Sequence, residues 1–151
     1  MSNIVKLYTD GACRGNPGPG GWGVVISDVK NQEIKLSGYE ALTTNNRMEI
    51  KAAIMGLDYF KTCSNITIYT DSNYLKIGIT EWIHLWKKKN WKNSSNKSIK
   101  NKDLWILLDD LNLFHNVAWN WVKAHNGDIG NEKADKLATD AIDDYLRKSS
   151  I

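Results

Sequence analysis

Cysteine is nearly absent from the chain. The two present, Cys13 and Cys63, make neither a disulfide framework nor a zinc-binding spacing, and both read as ordinary thiols. Long apolar runs are missing too: no stretch approaches the roughly 20 residues that a membrane span needs, so no membrane partner is expected. The N-terminal MSNIVKLYTD enters a strand-like pattern at once, without a basic segment leading into an apolar one, and a cytoplasmic location is expected. No linker or low-complexity segment interrupts the 151 residues, of which 42% are apolar and 25% charged, an ordinary globular mixture. One domain over residues 1–151, acting as a monomer, is the expectation.

A third absence is local. Between Trp82 and Lys102 there is no acidic residue, while seven lysines (87, 88, 89, 92, 97, 100 and 102) fall there. The net charge is +3, so everything outside that segment carries −4. A basic patch on an acidic body is the footprint of a polyanion-binding site. Tryptophans are interleaved with the lysines. Trp82 and Trp86 stand four apart on a helix, and Trp91 lies just beyond. One of the pair is expected to pack inward. The other, beside Lys87, Lys88 and Lys89, suits stacking on a sugar or base next to a nucleic-acid backbone.

The rest of the chain reads as alternating strands and helices. Residues 4–9 form a short β-branched run ending at Asp10, followed by a Gly/Pro-rich loop, GACRGNPGPGG. WGVVIS and EIKLSGYEA, separated by DVKNQ, read as a hairpin. Residues 46–60 turn helical, with Ala52, Met55 and Tyr59 on one stripe and Asn46 as the cap. Residues 66–70 are a second buried strand, ending at Asp71. Helical segments over 73–89 and 101–112 follow, then a strand at 117–122 and a final amphipathic helix over 130–147. The order β-β-β-α-β-α-α-β-α indicates an α/β fold, a mixed sheet with helices packed on it.

One echo inside the sequence bears on chemistry: LYTDG at 7–11 and IYTDS at 68–72. Each strand delivers an aspartate near its C-terminal end, where open α/β sheets place ligands and catalytic groups. Taken singly, the acids have ordinary explanations. Asp10 and Asp71 suit turns or caps, Glu49 suits a capping box, and Asp135 suits the first turns of a helix. Taken together they do not. If the two strands are neighbours, Asp10 and Asp71 converge, and a helix leaving that edge can aim Glu49 at the same spot. Such acids repel one another unless a cation neutralises them. Oxygen ligands without a Cys or His cluster suit Mg²⁺ or Mn²⁺ rather than zinc. Paired hard cations roughly 3.5–4 Å apart serve phosphodiester hydrolysis, which also accounts for the basic patch. His125, in the polar loop WVKAHNGDIGNEKAD, is placed for proton transfer near the acids.

These segments together resemble a type I ribonuclease H of the bacterial single-domain kind. The resemblance rests on YTDGACRGNPGPGGWG, TTNNRMEIKAAI, IYTDSNYL, the tryptophan–lysine segment, DLW at 103–105 and WNWVKAHNGDIGNEKADKLA, nearly the whole chain. It implies a five-stranded mixed sheet, three antiparallel strands then two parallel, flanked by helices. It implies metal-dependent hydrolysis of the RNA strand of RNA–DNA hybrids, leaving 5'-phosphate and 3'-hydroxyl ends. Asp10 would bridge two Mg²⁺ ions, with Glu49 and Asp71 mainly on one and Asp135 on the other, Mn²⁺ being a possible substitute. His125 would assist proton transfer or product release. The segment at 82–102 would be the basic protrusion that grips the DNA strand, and Asn16, Thr44, Asn45, Arg47 and Asn73 fall where the family contacts the hybrid. Two positions depart from the common pattern. Ala124 stands where glycine is usual, and Asn73 where a longer amide is common. Three other readings use some of the same residues: a resolvase- or integrase-like core, a non-catalytic hybrid-binding module, and a two-carboxylate glycosidase. The last needs neither metal nor basic patch.

Overall fold

Five strands form one sheet in the computed structural model, which describes residues 4–28, 30, 32–123 and 129–149. They are β1 (Ile4–Cys13), β2 (Gly18–Ser27), β3 (Glu33–Thr43), β4 (Asn65–Thr70) and β5 (Asn116–Trp121), in the order β3-β2-β1-β4-β5. The β1–β2 and β2–β3 pairs are antiparallel, and the β1–β4 and β4–β5 pairs are parallel. The expected mixed sheet, antiparallel then parallel, is therefore present. Among the described residues, no helix is long and apolar enough to cross a membrane.

The glycine-rich run is where expectation and structure part. Residues 11–21 read as a loop, yet β1 continues to Cys13 and β2 begins at Gly18, leaving only a short turn between. Gly15, with φ 85°, serves that turn, whereas Gly21 and, just beyond the run, Gly23 serve packing. The last helix, α5 (Ile129–Ser149), lies so close to β2 that a Cβ at Gly21 would overlap the Ala138 carbonyl, and one at Gly23 the Ala134 carbonyl. Strand glycines that admit another backbone look like loop residues in a propensity reading. On either side of them, Trp22, Val24 and Ile26 are buried in the core.

Helix α1 spans Asn45–Asp58 and is capped by Thr44, whose Oγ1 accepts from the Arg47 N–H at 3.2 Å. Thr44, not Asn46, is thus the N-cap, and Glu49 lies beyond the capping-box position. The buried stripe also differs from the one expected. Met48, Ile50, Ala53, Ile54 and Leu57 accompany Ala52 inside, whereas Tyr59 is 43% exposed. The helical segment at 73–89 divides into α2 (Asn73–Ile77), a wider π-helical turn (Gly78–Trp82) and α3 (Ile83–Lys88). Helix α4 (Lys102–Phe114) then packs on α1, with its Trp105 and Leu108 fully buried in the core.

Candidate active site

The YTD echo is a matter of register. In the parallel ladder Leu7 pairs with Ile68 and Tyr8 with Tyr69, and the two tyrosine rings stack at 5.0 Å. The two repeats therefore run side by side, and Asp10 and Asp71 emerge as neighbours. β4 ends at Thr70, whose Oγ1 accepts from the Ser72 N–H at 3.0 Å, and Ser72 in turn caps α2. Asp71 sits on the bend between. Asp10 stays inside β1, two residues past the last pair with β4.

Glu49 reaches the same point because α1 crosses β1 at a glycine. A Cβ at Gly11 would come within 2.5 Å of the Glu49 nitrogen. Carboxylate oxygens of Asp10, Glu49 and Asp71 lie within 4.8 Å of one another. Asp135, from α5, joins them in lining a polar cavity of about 500 Å³. All four acids singled out in the sequence are brought to one place.

Electrostatically this cluster is incomplete by itself. Burial, then the charge of Asp71, pushes the Asp10 carboxyl up from 3.8 to about 8, with Asp135 adding to the rise. Burial, then the charges of Asp10 and Asp71, holds the Glu49 carboxyl well above its ordinary value. Glu49 Oε1 is buried without a hydrogen-bond partner among the described residues. A buried, unsatisfied carboxylate oxygen is costly unless something cationic meets it. The oxygen-only donor set, its spacing and this orphaned atom fit a hard divalent cation.

The expected substrate contacts divide. Asn16, Thr44 and Asn45 meet at the start of α1, where Asn16 Oδ1 accepts from the Asn45 N–H at 2.8 Å. Asn45 and Asn73 both line the cavity. Arg47 points elsewhere: its guanidinium donates to both carboxylate oxygens of Asp103, at 3.0 and 2.7 Å, and to Asn101 Oδ1 at 3.2 Å. That pairing holds the Asp103 carboxyl below its ordinary range. Asn101, in left-handed backbone with φ 62°, donates to the Tyr74 hydroxyl at 3.0 Å. In the basic segment, Lys87 pairs at 3.0 Å with the buried Asp109 of α4. Lys88 and Lys89 are exposed and form no ion pair among the described residues. Trp86 is half-buried against Trp105, ring centres 5.3 Å apart, while Trp82 is 38% exposed. Trp82 also packs, its ring 5.8 Å from that of Tyr74 and 5.9 Å from that of Trp86, so the two tryptophans differ in degree of exposure. His125 and Ala124 lie outside the described residues. The sequence reading missed Cys13, Asn46, Ser72 and Tyr74, which also line the cavity. Their adjacency to the acids or to their strands was the available signal.

A mixed sheet that gathers four carboxylates at the edge of a polar cavity, beside a lysine-rich surface, defines a metal-dependent enzyme acting on a polyanion. Comparison with known proteins makes this specific. The family profile described as RNase H matches residues 2–143. A ribonuclease H of Methylobacillus flagellatus is 50% identical over 150 residues, 99% of each chain. Among solved structures, LC9-RNase H1, a type 1 RNase H with the type 2 active-site motif, superposes with a TM-score of 0.84 at 32% identity. That match covers 95% of this chain and 74% of the other. LC11-RNase H1, solved in complex with an RNA/DNA hybrid, gives 0.69 at 27% identity, over 94% and 99% of the two chains. The chain belongs to the ribonuclease H family and is a metal-dependent endoribonuclease.

Proposed function

We propose that Asp10, Glu49, Asp71 and Asp135 would together hold two Mg²⁺ ions, and that the site hydrolyses the RNA strand of RNA–DNA hybrids. The observation that carries this reading is the single cavity in which the four carboxylates meet, with Glu49 Oε1 buried and unpaired among the described residues. The chemistry supplied by a bound ion pair is activation of the attacking water and stabilisation of the leaving oxygen. Mn²⁺ satisfies the same donors and is the expected substitute.

The protein's own groups do the rest. Burial and the neighbouring acids raise the Asp10 and Glu49 carboxyls, so a cation held by them would favour their charged forms and be taken up at the expense of protons. Asn45 and Asn73, which line the cavity, would contact the hybrid together with Asn16 and Thr44 at the start of α1, and Glu49 with the amides following Asp10 would read the 2'-hydroxyl that separates RNA from DNA. Trp82, Lys88 and Lys89 hold the partner strand, and the bound substrate draws on Arg47 and Lys87 only indirectly, through the ion pairs they make. His125 serves proton transfer or product release. The hybrid complex of LC11-RNase H1 supports this choice of substrate. The reading includes one catalytic domain over residues 1–151, acting as a cytoplasmic monomer. The family match over 2–143 supports the domain's extent.

The test is a digest of labelled hybrid, duplex DNA and duplex RNA, with Mg²⁺, with Mn²⁺ and with excess chelator. Cutting confined to the RNA of the hybrid, abolished by chelator and restored by Mg²⁺, is expected. Undiminished cutting in chelator, or equal cutting of duplex DNA, overturns it.

A further inference from the structure

Three of the four acids are fixed by regular structure. Asp10 lies within β1 and accepts from the Gly11 N–H at 2.9 Å, Glu49 is part of α1, and Asp135 is part of α5. Asp71 is the exception. It occupies the bend between β4 and α2, is only partly buried, and its carboxylate accepts no hydrogen bond among the described residues. Its place in the cluster therefore depends on how its main chain is held. The β4–β5 ladder ends at Thr70 opposite Trp121, followed by one last bond from the Val122 N–H to the Thr70 carbonyl at 2.8 Å. Beyond that, Trp121 reaches across, and its indole Nε1 donates to the Asp71 carbonyl at 3.1 Å.

We infer that Trp121 is a positioning residue: its indole N–H tethers the Asp71 main chain and so holds that carboxylate at the metal-binding cluster. The inference rests on the reading of Asp71 as a metal ligand. The ring is 41% exposed, so burial alone does not explain an indole at the end of β5. What the residue contributes there is a single N–H directed at the one acid that lacks a rigid support. Groups that orient metal ligands from behind commonly affect affinity strongly, and here the support acts through the backbone of the ligand.

The experiment uses the full chain and Mg²⁺ alone. Trp121→Phe keeps an aromatic ring and removes the N–H. By calorimetric titration without nucleic acid, it is expected to weaken Mg²⁺ binding on the order of tenfold, the low end for such groups. Its metal-free melting temperature and its affinity for hybrid in chelator should match the wild type. Cleavage should fall at limiting Mg²⁺ and recover as Mg²⁺ is raised. Asp71→Asn is measured in parallel. Weakened Mg²⁺ binding in Asp71→Asn with unchanged binding in Trp121→Phe overturns the role of Trp121 and leaves the metal site standing. Unchanged binding in both overturns Asp71 as a ligand as well. A second measurement needs no variant. In the wild type, the Trp121 indole N–H resonance should exchange slowly with solvent and shift on Mg²⁺ addition. Rapid exchange without a Mg²⁺-dependent shift overturns the inference.

Discussion

Replacing Asp10 by Asn removes one charge from the cluster while keeping the shape of the side chain, including the oxygen that accepts from the Gly11 N–H at 2.9 Å. The consequence for stability follows from the raised carboxyl, about 8 in the folded metal-free protein against an ordinary 3.8. A folded-state value above the unfolded one means that the native protein binds the proton more tightly. Stability is then greatest below pH 3.8 and is lost progressively as pH rises toward 8. At pH 7 just over three pH units of that window have been crossed. At about 1.4 kcal/mol per unit, the unfolded chain's ionisation of Asp10, which the folded protein largely forgoes at pH 7, lowers the stability of the metal-free fold by at most about 4 kcal/mol. Relaxation around the charge and penetration of water reduce this, and a gain of about 1–3 kcal/mol is expected for Asp10→Asn. The assay is thermal or urea unfolding in chelator from pH 5 to pH 9. The variant should melt higher than the wild type above pH 7, the two curves should converge toward pH 5, and RNA cleavage should be lost. Added Mg²⁺ should stabilise the wild type more than the variant, since ligands stabilise the state that binds them. A variant that melts at or below the wild type at pH 8 in chelator refutes the reasoning and makes Asp10 a structural residue.

The lysines of the basic segment should separate into two kinds. Lys88→Ala with Lys89→Ala should raise KM at moderate salt and flatten the log–log salt dependence by roughly 0.7–0.9 for each phosphate no longer neutralised, with little change in kcat. Lys87→Ala should instead lower the melting temperature, at a cost of about 1–3 kcal/mol, because Asp109 is left buried without its partner. Equal effects of the two substitutions on the salt slope would show that the ion pair does not set Lys87 apart. Gly23→Ala should destabilise by about 1–3 kcal/mol, since the added methyl meets the Ala134 carbonyl. It should also lower activity by displacing Asp135 on the same helix, and a variant that melts like the wild type contradicts that packing. His125→Ala should reduce kcat on the order of tenfold to a hundredfold with KM similar. Full turnover across the pH range would leave His125 with no part in the chemistry.

How far the sequence disclosed the site depended on whether the relevant neighbour was local or distant. The echo of YTD at 8–10 and 69–71 was readable because parallel strands of similar composition align in register, and the ladder pairing Tyr8 with Tyr69 does so. Glu49 was readable by proximity to the helix start, even though the cap proved to be Thr44. The glycine at 21 misled because local propensity cannot distinguish a residue that turns from one that lets a helix come close, whereas Gly23 was read in a strand, where it stands. The partners of Arg47 and Lys87 were invisible for a different reason. Both carry the charge that suits a phosphate, and nothing within a few residues of either shows that an acid already neutralises it. For Arg47 that acid is Asp103, 56 positions away. For Lys87 it is Asp109, which faces it from α4. The lysine count correctly located a basic surface, but the number of charges available to a polyanion is set by the acids that the fold brings beneath it. Lys88 and Lys89, without such acids among the described residues, are therefore the ones on which the salt dependence of binding should rest.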